Sequence, residues 1–207
     1  MQHNPGTSSH EQVQLAAMGK GRVEAFSDGV IAILITIMVL EFKVPHGADL
    51  QALEPLLPEV LTYLLSYVYL GIYWNNHHHL LHTVERVDGR IMWANLHLLF
   101  WLSLVPFATG WMGQNHFAPW PTAVYGSVLL CAAVAYTILQ FTIMRAQGPS
   151  SKLHAAVGSD VKGKASMLMY AAAIPLAFVH QMISDALYVA VAAIWLVPDP
   201  RIARKVR

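Results

Sequence analysis

The sequence predicts an all-α membrane protein, with six transmembrane helices per chain and both termini in the cytoplasm. Three observations carry this. The chain of 207 residues is 56% hydrophobic and only 12% charged, against roughly 25% charged in an ordinary soluble domain. Its apolar residues gather into repeated runs, several close to the ~20 residues that span hydrocarbon. Its Lys and Arg residues are sorted almost entirely to one side of those runs.

Residues 1–19 are polar, with no apolar core and no cleavage pattern. They read as a mobile leader and not as a signal peptide. The first span is Phe26 to Leu40, followed by a loop with Pro45, Gly47 and Pro55. The second covers about Leu56 to His79, and the charged turn Glu85 to Arg90 follows. The third is about Ile91 to Met112, after which the chain is expected to turn at Pro119 and Pro121. The fourth covers about Thr122 to Met144, and a polar stretch leads to the fifth, about Ala165 to Gln181. The sixth is short, about Asp185 to Val197. Lys164 to Val197 is 34 residues, about 51 Å of helix, which two tight spans just fill. Pro175 is expected to kink the fifth. Residues 199–207 form a basic cytoplasmic tail, which leaves 20–198 as one six-helix transmembrane domain.

Orientation follows from counting Lys and Arg by loop, because cytoplasmic loops carry the excess. With six spans, twelve of these residues fall on the leader side and Lys43 alone on the other. Trp111 and Trp120 bracket an outer loop, and Trp93 and Trp195 lie near inner ends, as in the aromatic belts of membrane interfaces. The net charge of +1, with no basic patch, gives no sign of a nucleic-acid partner. The single cysteine, Cys131, excludes a disulfide framework. No G-x-S-x-G, H-E-x-x-H, Walker loop or intramembrane carboxylate pair is present, so nothing points to an enzyme. The T-V-G-Y-G carbonyl filter is absent as well.

The first span nevertheless opens with Arg22, Glu24 and Asp28. An ionisable residue inside a span faces protein or water, and is a functional candidate. At ~100° per residue, Ile33, Thr36, Ile37 and Leu40 share one face, and Asp28 points about 140° away from Ile33. If one of these faces lines an aqueous path, the other packs into the bundle. Arg22 is badly placed to pair with Asp28 on the same helix, so each calls for a partner on another helix or subunit. In the second span His77, His78 and His79 point in three directions and cannot share one ion. His78, His82 and Glu85 could form a metal face, but interior hydrogen bonding is the simpler reading and no metal site is assigned. Asn95 and His97 in the third span read as polar glue between helices.

The motif Arg22-x-x-x-Phe26-Ser27-Asp28, with Ala32-Ile33-Leu34-Ile35-Thr36 and the closing Leu40-Glu41, resembles the signature of the transmembrane protein 175 family of potassium-permeable channels. Trp74-x-x-His77, the Asp88 to Asn95 spacing and Leu104-Val105-Pro106-Phe107 are similar to the family too. The likeness covers roughly residues 20 to 110; His78, His79 and His82 stand outside the pattern. It implies a prokaryotic, multi-pass plasma-membrane homotetramer whose first helices line a central pore. It implies that Ile33 makes the narrowest ring, followed by Ile37 and Leu40, with the Thr36 hydroxyl nearby. Arg22, Phe26, Ser27 and Asp28 would brace the pore helix from behind, with Trp74, His77, Asp88 and Asn95 as partners, His77 and Asn95 serving Ser27 and Asp28. Glu41 would mark the pore mouth, either as a ring of negative charge or as a surface carboxylate. No cofactor is implied, only permeant potassium and the lipid bilayer.

The function expected is thus a potassium-permeable leak channel with an apolar side-chain constriction, which gates by dewetting. Two other classes fit individual residues. A proton-coupled transporter would use Asp28 and His77 as a relay. A membrane metal or haem protein would use His77, His78, His82 and His97.

Overall fold

The computed structural model describes residues 5–84, 86–147 and 160–196, and side chains from residue 19 onward. Among the described residues every regular element is helical. The tail 199–207, Glu85 and most of the polar stretch before the fifth run lie outside them.

Helix α1 runs Pro5–Ile37 and tightens into a 3-10 turn at Met38–Glu41. It thus begins within the leader, which the sequence leaves without structure. It stops where Phe42 turns extended, three residues before Pro45, whose missing N–H cannot continue a helix. Asp49 caps a short 3-10 segment, Leu50–Leu56, by accepting from Ala52 N. Helix α2, Leu57–His82, then starts with Pro58 in its first turn, where the lost N–H has no helical partner anyway.

The third span is two helices, α3 (Gly89–Ser103) and α4 (Val105–Gln114). The sequence reads it as one run. Pro106 explains the break: its ring clashes with the carbonyl four residues back and it donates no bond. Leu104 N bonds the Trp101 carbonyl in 3-10 fashion at 3.2 Å. Helix α5 is Pro119–Gln147, so Pro119 and Pro121 open this helix and do not make the turn. The turn lies just before them, where His116 and Phe117 adopt left-handed φ values of 49° and 59°.

Helices α6 (Val161–Leu176) and α7 (Gln181–Leu196) have 16 residues each, about 24 Å of length. Pro175 stands one residue from the end of α6 and so terminates that helix instead of kinking a longer one. The two are antiparallel: Trp195 donates to Ser166 Oγ at 2.9 Å, and Ser184 donates to the Ala173 carbonyl at 2.9 Å. Among the described residues four segments are long and apolar enough to cross a membrane: Gly19–Glu41, Leu50–His82, Gly89–Gln114 and Pro119–Gln147; Gln181–Leu196 is a shorter apolar helix.

Helix α1 packs on α2, α3 and α4, while α6 and α7 pack against α5, and α7 also against α2. The interior is tied by hydroxyls as well as by apolar packing. Tyr69 donates to the Tyr188 carbonyl at 2.6 Å, and Tyr188 donates to the Thr122 carbonyl at 3.1 Å. Ser66 shares hydrogen bonds with Thr109 (2.6 Å) and Tyr125 (3.0 Å). Between helices in lipid, which offers no hydrophobic drive to associate, such bonds are what distinguishes one packing from another. Small residues make room for them. The Tyr188 hydroxyl occupies the place where a Cβ on Gly126 would be.

Candidate functional site

Helix α1 has two faces of opposite character. Ser27, Ile31, Leu34 and Met38 are buried, at spacings of four, three and four that make one helical stripe. On the other side Ile33, Ile37 and Leu40 are 62%, 43% and 79% exposed, and Thr36 is exposed with them. The chain's own bundle therefore does not cover the Ile33 stripe. Thr36 donates back to the Ala32 and Ile33 carbonyls at 3.1 and 3.0 Å, so its proton is committed to the helix. Only oxygen lone pairs are left to offer outward.

Behind the stripe, three helices meet through three buried side chains. Asn95 of α3 donates to Ser27 Oγ of α1 at 2.9 Å, and Asn95 Oδ1 lies 2.7 Å from His77 Nε2 of α2. None of the three is more than 1% exposed. The proton positions follow from one fact: Ser27 donates to its own helix, to the Val23 carbonyl at 2.8 Å. Its oxygen can therefore only accept from Asn95, which turns the amide nitrogen toward Ser27 and the amide oxygen toward His77. His77 must then carry its proton on Nε2. Its Nδ1 has no partner among the described residues.

Asp28 joins a different contact. Its carboxylate accepts from the Trp74 indole at 3.0 Å, at the partly open edge of the α1–α2 seam. The implied pairing of His77 and Asn95 with both Ser27 and Asp28 thus splits: Ser27 has Asn95, which in turn holds His77, and Asp28 has Trp74. Asp28 and His77 also end in separate hydrogen bonds, so the described geometry assembles no proton relay between them.

Other sequence candidates fall elsewhere. Phe26 is 55% exposed and seven residues before Ile33, which puts it on the uncovered side of α1. Arg22 is exposed and has no ion pair among the described residues. Asp88 caps α3, accepting from Ile91 N at 2.8 Å, and does not meet the triplet. His97 accepts from Trp101 on its own helix, the one hydrogen bond it makes among the described residues. Glu41 lies against α4, its Oε2 3.6 Å from where a Cβ on Gly110 would stand, on the flank of the stripe. His78 and His82 turn toward Glu24 of α1; Glu85, with which the sequence groups them, is outside the described residues. The buried tyrosine and hydroxyl bonds are not among the sequence expectations. The signal for them was polar residues recurring inside apolar runs, as at Thr62, Ser66, Tyr69 and Tyr73.

Fold and site define a class: a multi-pass helical membrane protein whose first helix is clamped on one side and bare and apolar on the other. Comparison with known proteins narrows it. The family described as the endosomal/lysosomal potassium channel TMEM175 matches residues 22–106. A potassium channel of Chryseobacterium sp. (strain P1-3) is 54% identical over 92% of this chain and 99% of the relative. Another, of Streptomyces collinus, is 35% identical over 77% of this chain and 82% of the relative. The crystal structure of a lysosomal potassium-selective channel TMEM175 homologue from Chamaesiphon minutus superposes with a TM-score of 0.70 at 28% identity. It covers 87% of this chain and 97% of that one. The chain belongs to the TMEM175 family, and it is not an enzyme.

Proposed function

We propose that the protein is a potassium-permeable leak channel of a prokaryotic plasma membrane. Four copies assemble around a central pore lined by α1 of each. Every chain crosses six times, with α6 and α7 as the two short last spans and both termini in the cytoplasm, as the distribution of Lys and Arg requires. The observation that carries this reading is the uncovered stripe Ile33, Ile37 and Leu40, opposite the buried clamp of Ser27, Asn95 and His77. A helix held rigidly from behind can present an apolar ring of fixed radius. Such a ring passes ions when wet and blocks when it dries. It returns little to a dehydrated ion, so its preference for potassium over sodium is modest. Relatives named as potassium channels support the choice of ion.

Reconstitution of the purified, full-length chain in liposomes tests this. Potassium-driven flux and a four-copy particle are expected. Correctly assembled protein without flux, or a particle of another stoichiometry, refutes the reading.

A further inference from the structure

The α1–α2 seam continues beyond Asp28 and Trp74 by one more turn. Glu24 lies four residues before Asp28, and His78 four residues after Trp74. Glu24 Oε1 is 2.9 Å from His78 Nδ1 and 3.8 Å from His82 Nε2. One ligand atom from each of these residues lies within 4.8 Å of the other two. His78 and His82 stand on one helix face with ring centroids 4.3 Å apart. The clamp and the apolar stripe use none of the three.

We propose that Glu24, His78 and His82 bind a divalent transition metal of the zinc type, tying α1 to α2. Two imidazoles and one carboxylate are a donor set that zinc accepts with a fourth position left for water. Bonds of about 2.0–2.2 Å in a tetrahedron put ligand atoms roughly 3.3–3.6 Å apart. The separations of 2.9 and 3.8 Å from Glu24 bracket that value and the two imidazole ligand atoms lie within 4.8 Å of each other, so side-chain rotations that draw the histidines together close the site. The side chains have the freedom for it: His82 is 59% exposed, His78 39% and Glu24 20%. The same exposure provides an entry path. Calcium and magnesium want all-oxygen shells of six or more ligands, so imidazole selects against them.

The surroundings do not oppose the ion strongly. Lys20, one turn before Glu24, is turned to the His82 carbonyl at 3.1 Å. Trp74 stacks on the His78 ring, centroids 6.2 Å apart with planes 25° from parallel, while its indole N–H holds Asp28. A metal here therefore fixes the same seam that positions α1.

The test is metal binding to the tag-free, full-length protein in detergent. Zinc is titrated alone, cobalt serves as the optical probe, and calcium and magnesium are controls. Expected are one zinc per chain and a visible cobalt spectrum that zinc abolishes. Glu24→Gln and His82→Ala should each weaken zinc by at least about 10–100-fold, the loss that even outer-shell changes produce. His97→Ala, an imidazole on another helix, should leave binding unchanged. Zinc well below one per chain in the unaltered protein, or affinity kept in both Glu24→Gln and His82→Ala, overturns the proposal. Should Glu24→Gln fail to assemble, the outward-facing His82 decides alone. No ion flux is read, so failure here leaves the channel reading standing.

Discussion

Asn95→Ala is the perturbation that most directly probes how α1 is held. The side chain makes one bond to Ser27 on α1 and one to His77 on α2, both fully buried. Hydrogen bonds between membrane helices are worth about 0.6 kcal/mol on average and up to about 1.7, so two account for about 1–3 kcal/mol. The His77 Nε2 proton is then stranded in the interior, which adds about 1–3 kcal/mol. The variant should therefore lose about 2–6 kcal/mol of stability. Ser27→Ala loses one interhelical bond and strands the buried Asn95 N–H that Ser27 accepts, so it should cost about 2–5 kcal/mol. A double-mutant cycle on the pair isolates their shared bond. Unfolding in mixed micelles, followed by tryptophan fluorescence, should return a coupling of at least about 0.5 kcal/mol. Ser103→Ala, an exposed hydroxyl bonded within its own helix, should stay within about 0.5 kcal/mol of the unaltered protein. Additivity of Ser27→Ala and Asn95→Ala, or an Asn95→Ala protein as stable as the original, would refute the clamp.

The remaining predictions concern the stripe, the seam and the core. Ile33→Asn should wet the ring and move the bi-ionic reversal potential toward equal potassium and sodium permeability; an unchanged potential would remove Ile33 from the constriction. Asp28→Ala frees the Trp74 indole and should impair assembly or opening before it alters ion preference. A variant that assembles and opens normally but selects differently would reverse that assignment. Glu41→Gln should lower potassium conductance at low ionic strength and less so at high, because salt screens a surface charge; equal effects at both would make Glu41 a bystander. Gly126→Val pushes two methyl groups into the Tyr188 hydroxyl and should cost at least about 1–3 kcal/mol by overpacking, read as a lowered unfolding midpoint.

Particular residues show how far the chain explains itself. Composition and run length alone demand a helical membrane protein, because only helices and closed barrels satisfy the backbone in lipid. The 100° advance per residue is local geometry, so the opposition of Asp28 to Ile33 could be read directly from the sequence. Breaks were harder. Pro106, Pro119 and Pro175 were all visible, yet whether a proline kinks, opens or ends a helix depends on where its missing bond falls in the turn. Partner choice was harder still. Asp28 and Ser27 are adjacent in sequence but ~100° apart on the helix, so they face different neighbours: one the Trp74 indole, the other Asn95.

The sequence by itself determined that apolar helices cross a membrane, and which side of the first helix carries the Ile33, Ile37 and Leu40 stripe. Both depend on short-range quantities, hydropathy and helical period. The tertiary structure alone decided that Asn95 bridges Ser27 to His77, that Trp74 takes Asp28, and that Glu24 rather than a neighbour on α2 faces His78 and His82. Those contacts span 18 to 68 residues of chain. They depend on the register in which separate helices come to rest, which no local pattern encodes.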